Sequence, residues 1–239
     1  MERRVEPELL DVLPANDPFA MRSRRDLVVI NAWMGNARIM ARALRAAFAD
    51  RPLRRVAEVG AGDGRYALSV ARRLARAPVA GEPAHDEKSK AFVLVDRIGA
   101  VRPKTLDRFA RLGWRAEPQV TDVMTWLSEP AASGDAIIAN LFLHHFSEAE
   151  LAKLFRRAAD RVRVVIGVEP RRNQHCARFC RWLWLLGCNR VTRHDALVSI
   201  RAGFTGTELS RLWPVDGSWV VQEGDAGWCS HLFVAQRKD

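Results

Sequence analysis

Between residues 55 and 170 the chain alternates short continuous apolar runs with stretches of helical spacing, and this alternation constrains the fold most. Runs at 55–59, 92–96, 135–143 and 163–169 read as strands, because short apolar runs bounded by polar or turn residues suit a strand buried on both faces. The more polar 117–121 is read as the third strand from its place in the alternation. Helical patterns at 66–77, 101–112, 123–127 and from Ser147 onward separate them. Ser147 followed by Glu150 has the spacing of a capping box. Such alternation predicts an α/β fold, a mostly parallel sheet with helices on both faces. Upstream, 24–48 reads as one helix, with Pro14 and Pro18 keeping the preceding segment extended or turned. A polar stretch at 81–90 reads as a surface loop. Beyond Pro170 the pattern changes to an aromatic-rich helix at 176–186, a strand or helix end at 197–200 and a helix at 205–213. Two final strands flank a turn at 224–227 as an antiparallel terminal hairpin.

The first run leads directly into Gly60-Ala61-Gly62-Asp63-Gly64 with Glu58 inside the strand. Glycines permit positive φ and close approach of a ligand to the backbone. The spacing is not that of a dinucleotide fingerprint, because the sixth position from Gly60 is Arg65. Nor is it a P-loop, which needs Lys-Ser/Thr after the glycine. Acids beside the glycines disfavour a phosphate and suit a cationic, phosphate-free nucleoside.

In combination these motifs resemble those of class I S-adenosylmethionine-dependent methyltransferases of the small-molecule type, including quinone-biosynthesis-like and secondary-metabolite enzymes. The resemblance covers about 55–170 and the terminal hairpin, and implies a Rossmann-like, seven-stranded sheet. It implies S-adenosyl-L-methionine as cofactor, S-adenosyl-L-homocysteine as product, and no metal. It further implies that Glu58, Gly60, Ala61, Gly62, Asp63 and Gly64 form the donor loop. Asp96, with Arg97 beside it, matches the acid that receives the ribose hydroxyls; Asp122 and Val123 match the adenine site. Asn140 and Leu141 match the motif bordering the transferable methyl, where many relatives carry Asp.

Methyl transfer to oxygen or acidic carbon needs alignment and a proton acceptor, for which histidine is suited. His144 and His145, in a Leu-His-His-Phe string after the fourth strand, are the candidates, with a local hydrogen-bonding role as the alternative. For the acceptor the candidates are Trp33 and Met34 on the N-terminal helix, and Arg171, His175, Trp182 and His194 in the segment after the fifth strand. The expected organisation is an N-terminal helical cap at 1–50 and a methyltransferase domain at 51–239, with a helical lid at about 171–203. The expected acceptor is a small aromatic, polyketide-like or quinone-like metabolite. Alternatives are small-molecule N-methylation, RNA or protein methylation, and cofactor binding without catalysis. Against RNA or protein stands the lack of an Asn/Asp-Pro-Pro-aromatic motif, since Leu141-Phe142 follow Asn140.

The net charge of +10 comes almost entirely from arginine, dispersed in pairs along the chain, and so argues against a nucleic-acid partner. Arginine and alanine richness points to a bacterial source. The four cysteines form no Cys-x-x-Cys pair, so reduced, buried thiols are expected rather than a zinc site. The start of the chain carries acids and no apolar run, and the most apolar stretch, 182–187, is too short to cross a bilayer. A cytoplasmic monomer or homodimer is expected, with room for peripheral membrane contact.

Overall fold

The computed structural model describes residues 1–14, 16–76, 90–214 and 216–238. Apart from Lys90, the loop expected at 81–90 lies outside them.

Seven strands form one sheet: β1 (Arg55–Val59), β2 (Ala91–Asp96), β3 (Arg115–Val120), β4 (Ala136–Asn140), β5 (Val164–Pro170), β6 (Trp219–Ala226) and β7 (Ser230–Arg237). Their order is β3-β2-β1-β4-β5-β7-β6, parallel throughout except for β7, which runs antiparallel to both its neighbours. The continuous apolar runs are explained by the layers. Val56, Phe92, Leu94, Ile138, Ile166 and Val168 pack on one face, while Ala57, Val59, Val93, Val95, Ile137, Ala139 and Val165 pack on the other. β1, β2, β4 and β5 thus spend both halves of their period-two pattern on a hydrophobic layer, while the edge strand β3 is largely exposed.

The first face is covered by α3 (Asn36–Ala47), α4 (Arg65–Arg76) and α5 (Pro103–Ala110), which contribute Met40, Leu44, Leu68, Leu74 and Phe109. The second is covered by α6 (Val123–Trp126) and α7 (Glu148–Ala159), through Trp126, Leu151, Leu154 and Phe155. The Ser147–Glu150 capping box is present at the start of α7.

Several boundaries differ from expectation. The helix read at 24–48 is two helices, α2 (Pro18–Met34) and α3, because Gly35 adopts φ 70° and turns the chain between them. Pro18 opens α2, where its missing N–H costs nothing, and Asp17 caps it by accepting from Phe19 and Ala20. A short α1 (Leu9–Val12) precedes it, its first two amides held by the Asp195 carboxylate at 2.8 and 3.0 Å. The fourth strand stops at Asn140, not 143, because Leu141 takes φ 50°. After β5 come α8 (Gln174–Cys180), a 3-10 turn at Leu183–Leu186 and α9 (Arg190–Ala202), which absorbs 197–200 into helix. The expected 205–213 helix is turns and a 3-10 segment at Ser210–Leu212.

The thiol expectation is corrected in part. Cys176 and Cys229 form a disulfide that joins α8 to the start of β7, with Cα atoms 5.7 Å apart. Cys180 and Cys188 are the reduced, buried pair. No described helix is long and apolar enough to cross a membrane.

Candidate active site

The carboxyl ends of β1, β2, β3 and β4 open onto one cleft of about 720 Å³, the place where open parallel sheets bind ligands. Its floor is the glycine turn. Gly60 sits at φ 71°, and a Cβ there would lie 2.3 Å from Phe142 Cδ2, so both conformation and space demand glycine. The Gly62 amide donates to Asp96 Oδ2 at 2.8 Å, which ties the turn to the end of β2. The Ile98 amide donates to the other oxygen, Asp96 Oδ1, at 2.8 Å. Gly64 does not line the cleft; it closes the turn through its amide to the Ala61 carbonyl and packs against Leu94. Asp63 pairs with Arg65 at 3.0 Å.

The cleft reverses the sign of the chain. Eight carboxylates and four arginines line it, in a protein with ten more basic than acidic residues. Glu58, the one acid of β1, is buried, lines the cleft and has one oxygen, Oε2, without a hydrogen-bond partner. Burial, reinforced by the charges of Asp96 and Asp63, holds its pKa well above the usual carboxylate range. Asp122 lies at the rim beside buried Val123 and uses one oxygen to cap α6, accepting from Met124 at 2.8 Å. Arg97 also lines the cleft.

The turn after β4 is built around Glu169, fully buried near the end of β5. Its Oε1 accepts the amides of Phe142 and Leu143 at 3.0 and 2.9 Å, which supports the strained Leu141 backbone. Its Oε2 meets His144 Nδ1 at 2.8 Å, and His144 Nε2 faces Glu8 Oε1 at 3.3 Å. Burial opposes a charge on His144, yet the hydrogen bonds to Glu169 and Glu8 outweigh it and raise the pKa to about 9. His144 is therefore an imidazolium clamped between two carboxylates at neutral pH. His145 differs: burial and the neighbouring His144 charge lower its pKa, and it lines the cleft with Asp11 3.6 Å from Nδ1. Glu8, His144 and His145 each place a ligating atom within 4.8 Å of the others, but the His144 and Glu8 atoms are already paired within the ion triad.

Asn140 joins a cluster of side-chain amides at the end of β4. Asn36 Nδ2 donates to Asn31 and Asn140 carbonyl oxygens, and Asn140 Nδ2 donates to Asn31, each at 3.0 Å. Ser230 Oγ completes it by donating to Asn36 Oδ1 at 2.7 Å. Four elements, α2, α3, β4 and β7, are thereby joined at the end of β4.

Leu141 also borders a second, apolar cavity of about 80 Å³ between α2, α8 and α9, lined by Trp33, Met34, Phe179 and Leu183. Trp33 stacks on Phe179 with ring centroids 4.4 Å apart. Four expected substrate residues lie elsewhere. Arg171 pairs with Asp225 at 2.6 Å, His175 is exposed on the first turn of α8, Trp182 faces outward, and His194 pairs with Asp195 at 3.0 Å. None lines either cavity. The segment 171–203 does reach the cavity, through its inward positions such as Phe179 and Leu183. Glu8 and Glu169 carried no local motif; only the tertiary fold brings them to the site.

These features belong to a recognised architecture: the chain has the fold of the class I methyltransferases. One similar solved structure is the plantazolicin methyltransferase BamL in complex with a triazolic desmethylPZN analog and SAH, with a TM-score of 0.62 and 11% identity over 96% of this chain and 93% of that one. Another is magnesium protoporphyrin IX methyltransferase (ChlM) from Synechocystis PCC 6803 with bound SAH, with a TM-score of 0.53 and 13% identity over 96% and 91%. An O-methyltransferase family protein from Burkholderia thailandensis has a TM-score of 0.55 and 18% identity over 94% of this chain, which spans 63% of that protein's length. No protein-family model and no curated protein matches the sequence.

Proposed function

We propose that the chain is an S-adenosyl-L-methionine-dependent methyltransferase acting on oxygen or carbon of a small aromatic, polyketide-like or quinone-like metabolite. The observation that carries the reading is the sign reversal of the cleft, with the orphaned buried Glu58 oxygen at its floor. An amino-acid ammonium group supplies the missing partner, and a phosphate-bearing nucleotide would meet repulsion from the same carboxylates. Asp96 already orders the loop with two amides, and each of its oxygens retains a lone pair for a ribose hydroxyl. Asp122 keeps Oδ2 for an exocyclic amine, beside Val123.

The bound donor supplies a methyl group on a sulfonium. The protein's part is to orient an acceptor against it and to take the acceptor's proton. Of the two histidines, His145 is assigned that proton: it is neutral near pH 7 and lines the cleft, whereas His144 already carries a proton. The Asn31–Asn36–Asn140 cluster holds the end of β4 rigid at the boundary with the apolar cavity. That cavity, at about 80 Å³, has room for an apolar group of the acceptor rather than its whole body.

Isothermal titration calorimetry with S-adenosyl-L-homocysteine tests the cofactor assignment without needing an acceptor. Saturable binding supports it; no binding of either homocysteine product or donor refutes it. Labelled donor with a panel of phenols and quinols then tests the acceptor class. With an active acceptor in hand, His145→Ala is expected to lower kcat by about 100-fold while retaining product affinity; undiminished kcat removes His145 from the mechanism.

A further inference from the structure

We propose that the turn between α8 and α9 docks the protein on an anionic lipid surface. Three observations combine at this place. First, the 3-10 turn Leu183–Leu186 and its N-cap Trp182 put Trp182, Trp184 and Leu185 at 57%, 54% and 61% exposure, with Leu186 also exposed. Trp and Leu together are the side chains that seat a protein in a headgroup layer, the ring at the polar boundary and the aliphatic chain beneath it. Second, residues 170–194 contain six arginines and not one acid. Arg171 and Arg172 are used internally, against Asp225 and Glu208. Arg178, Arg181, Arg190 and Arg193 are exposed and make no ion pair among the described residues, so their charge is available to lipid phosphates. Third, the patch continues onto α2. Arg22 donates to the Gly187 carbonyl at 2.9 Å, and exposed Phe19 lies under the Arg190 guanidinium at 4.7 Å.

Charge selects the occupant. A second copy of this chain would bring the same uncompensated arginines into the interface, whereas an anionic bilayer neutralises them and receives the Trp and Leu side chains. The turn is anchored from within by Leu183, which is buried and lines the apolar cavity, so the docking face lies directly outside that cavity. The docking does not depend on which acceptor the cavity takes.

Cosedimentation of the full chain with vesicles of phosphatidylcholine containing about 30% phosphatidylglycerol tests this, against pure phosphatidylcholine and across a salt series. The expected result is binding to the anionic vesicles that weakens with salt and is at least about tenfold weaker on phosphatidylcholine. Trp184→Ser with Leu185→Ser is expected to reduce partitioning at least about tenfold, and Arg178→Glu with Arg181→Glu by a similar factor at low salt. Thermal melts and homocysteine-product titration establish that the variants are folded, and neither side-chain pair lines the cleft. Absence of binding to anionic vesicles overturns the proposal, as does undiminished binding of both variants. A wild-type dimer that Trp184→Ser/Leu185→Ser converts to monomer, without vesicle binding, assigns the face to self-association instead.

Discussion

Replacing His144 with asparagine removes the cation that the Glu8 and Glu169 carboxylates share, and the structure sets how the loss should depend on pH. The imidazole titrates near 6.5 when unfolded and at about 9 in the fold. A folded pKa above the unfolded one means that folding favours the protonated ring. The associated stability is fully present below about pH 6.5 and disappears as pH rises through about 9. Linkage gives about 3 kcal/mol at pH 6–7 and under about 1 kcal/mol at pH 9. Side-chain exposures of 3% for His144 and 0% for Glu169 leave little solvent screening. For a chain of 239 residues the difference at pH 6 corresponds to about 6–12 °C in melting temperature. Melts of wild type and His144→Asn in matched buffers from pH 6 to pH 10 measure it. Groups that His144 does not touch titrate alike in both proteins and cancel. Glu8 and His145, whose pKa values the His144 charge lowers, do not, and the gap between the two curves should close toward pH 9–10, where that charge is gone. A gap that stays constant with pH would show that His144 packs there as a neutral ring, and would return it as a candidate base.

Asp96→Ala is expected to weaken homocysteine-product binding about ten- to a hundredfold, by removing the acceptor that also orders Gly62; unchanged affinity by calorimetry would overturn the ribose assignment. Glu58 carries a raised pKa, so pairing with a ligand ammonium should expel its proton. Affinity should then rise as pH increases above the ordinary carboxylate range, and the binding heat should change with the buffer's ionisation enthalpy; equal heats in phosphate and Tris would refute proton release. Gly60→Ala forces a Cβ onto the Phe142 ring at a positive φ, and should cost about 2–4 kcal/mol in denaturant unfolding.

β1, β2, β4 and β5 were legible because burial on both faces leaves a continuous apolar run, as in 92–96, whereas the exposed edge strand β3 carries no such run and was read only from its place in the alternation. The glycine turn, Asp96 and Asp122 were legible because each sits where a strand ends. Gly35 was not, since a single glycine inside a helical period is compatible with an unbroken helix until the αL turn is seen. The histidine pair was found but could not be divided in sequence: their different protonation comes from Glu8 and Glu169, at separations of 136 and 25 residues from His144. Likewise, Trp182 and His194 share the composition of the 171–203 segment with Phe179 and Leu183, and only the direction of each side chain separates cavity from surface. The Cys176–Cys229 bond joins residues 53 positions apart, which spacing alone did not announce.

The acid-lined cleft has a consequence for turnover. On the proposed donor, transfer discharges the sulfonium, and the spent molecule leaves with one positive charge fewer than the incoming one. A basin of carboxylates holds the charged form more firmly, so each reaction loosens the grip on its own by-product. Exchange of spent for fresh donor is then driven by the same field that admits the donor, and added salt, by flattening that field, should increase by-product inhibition.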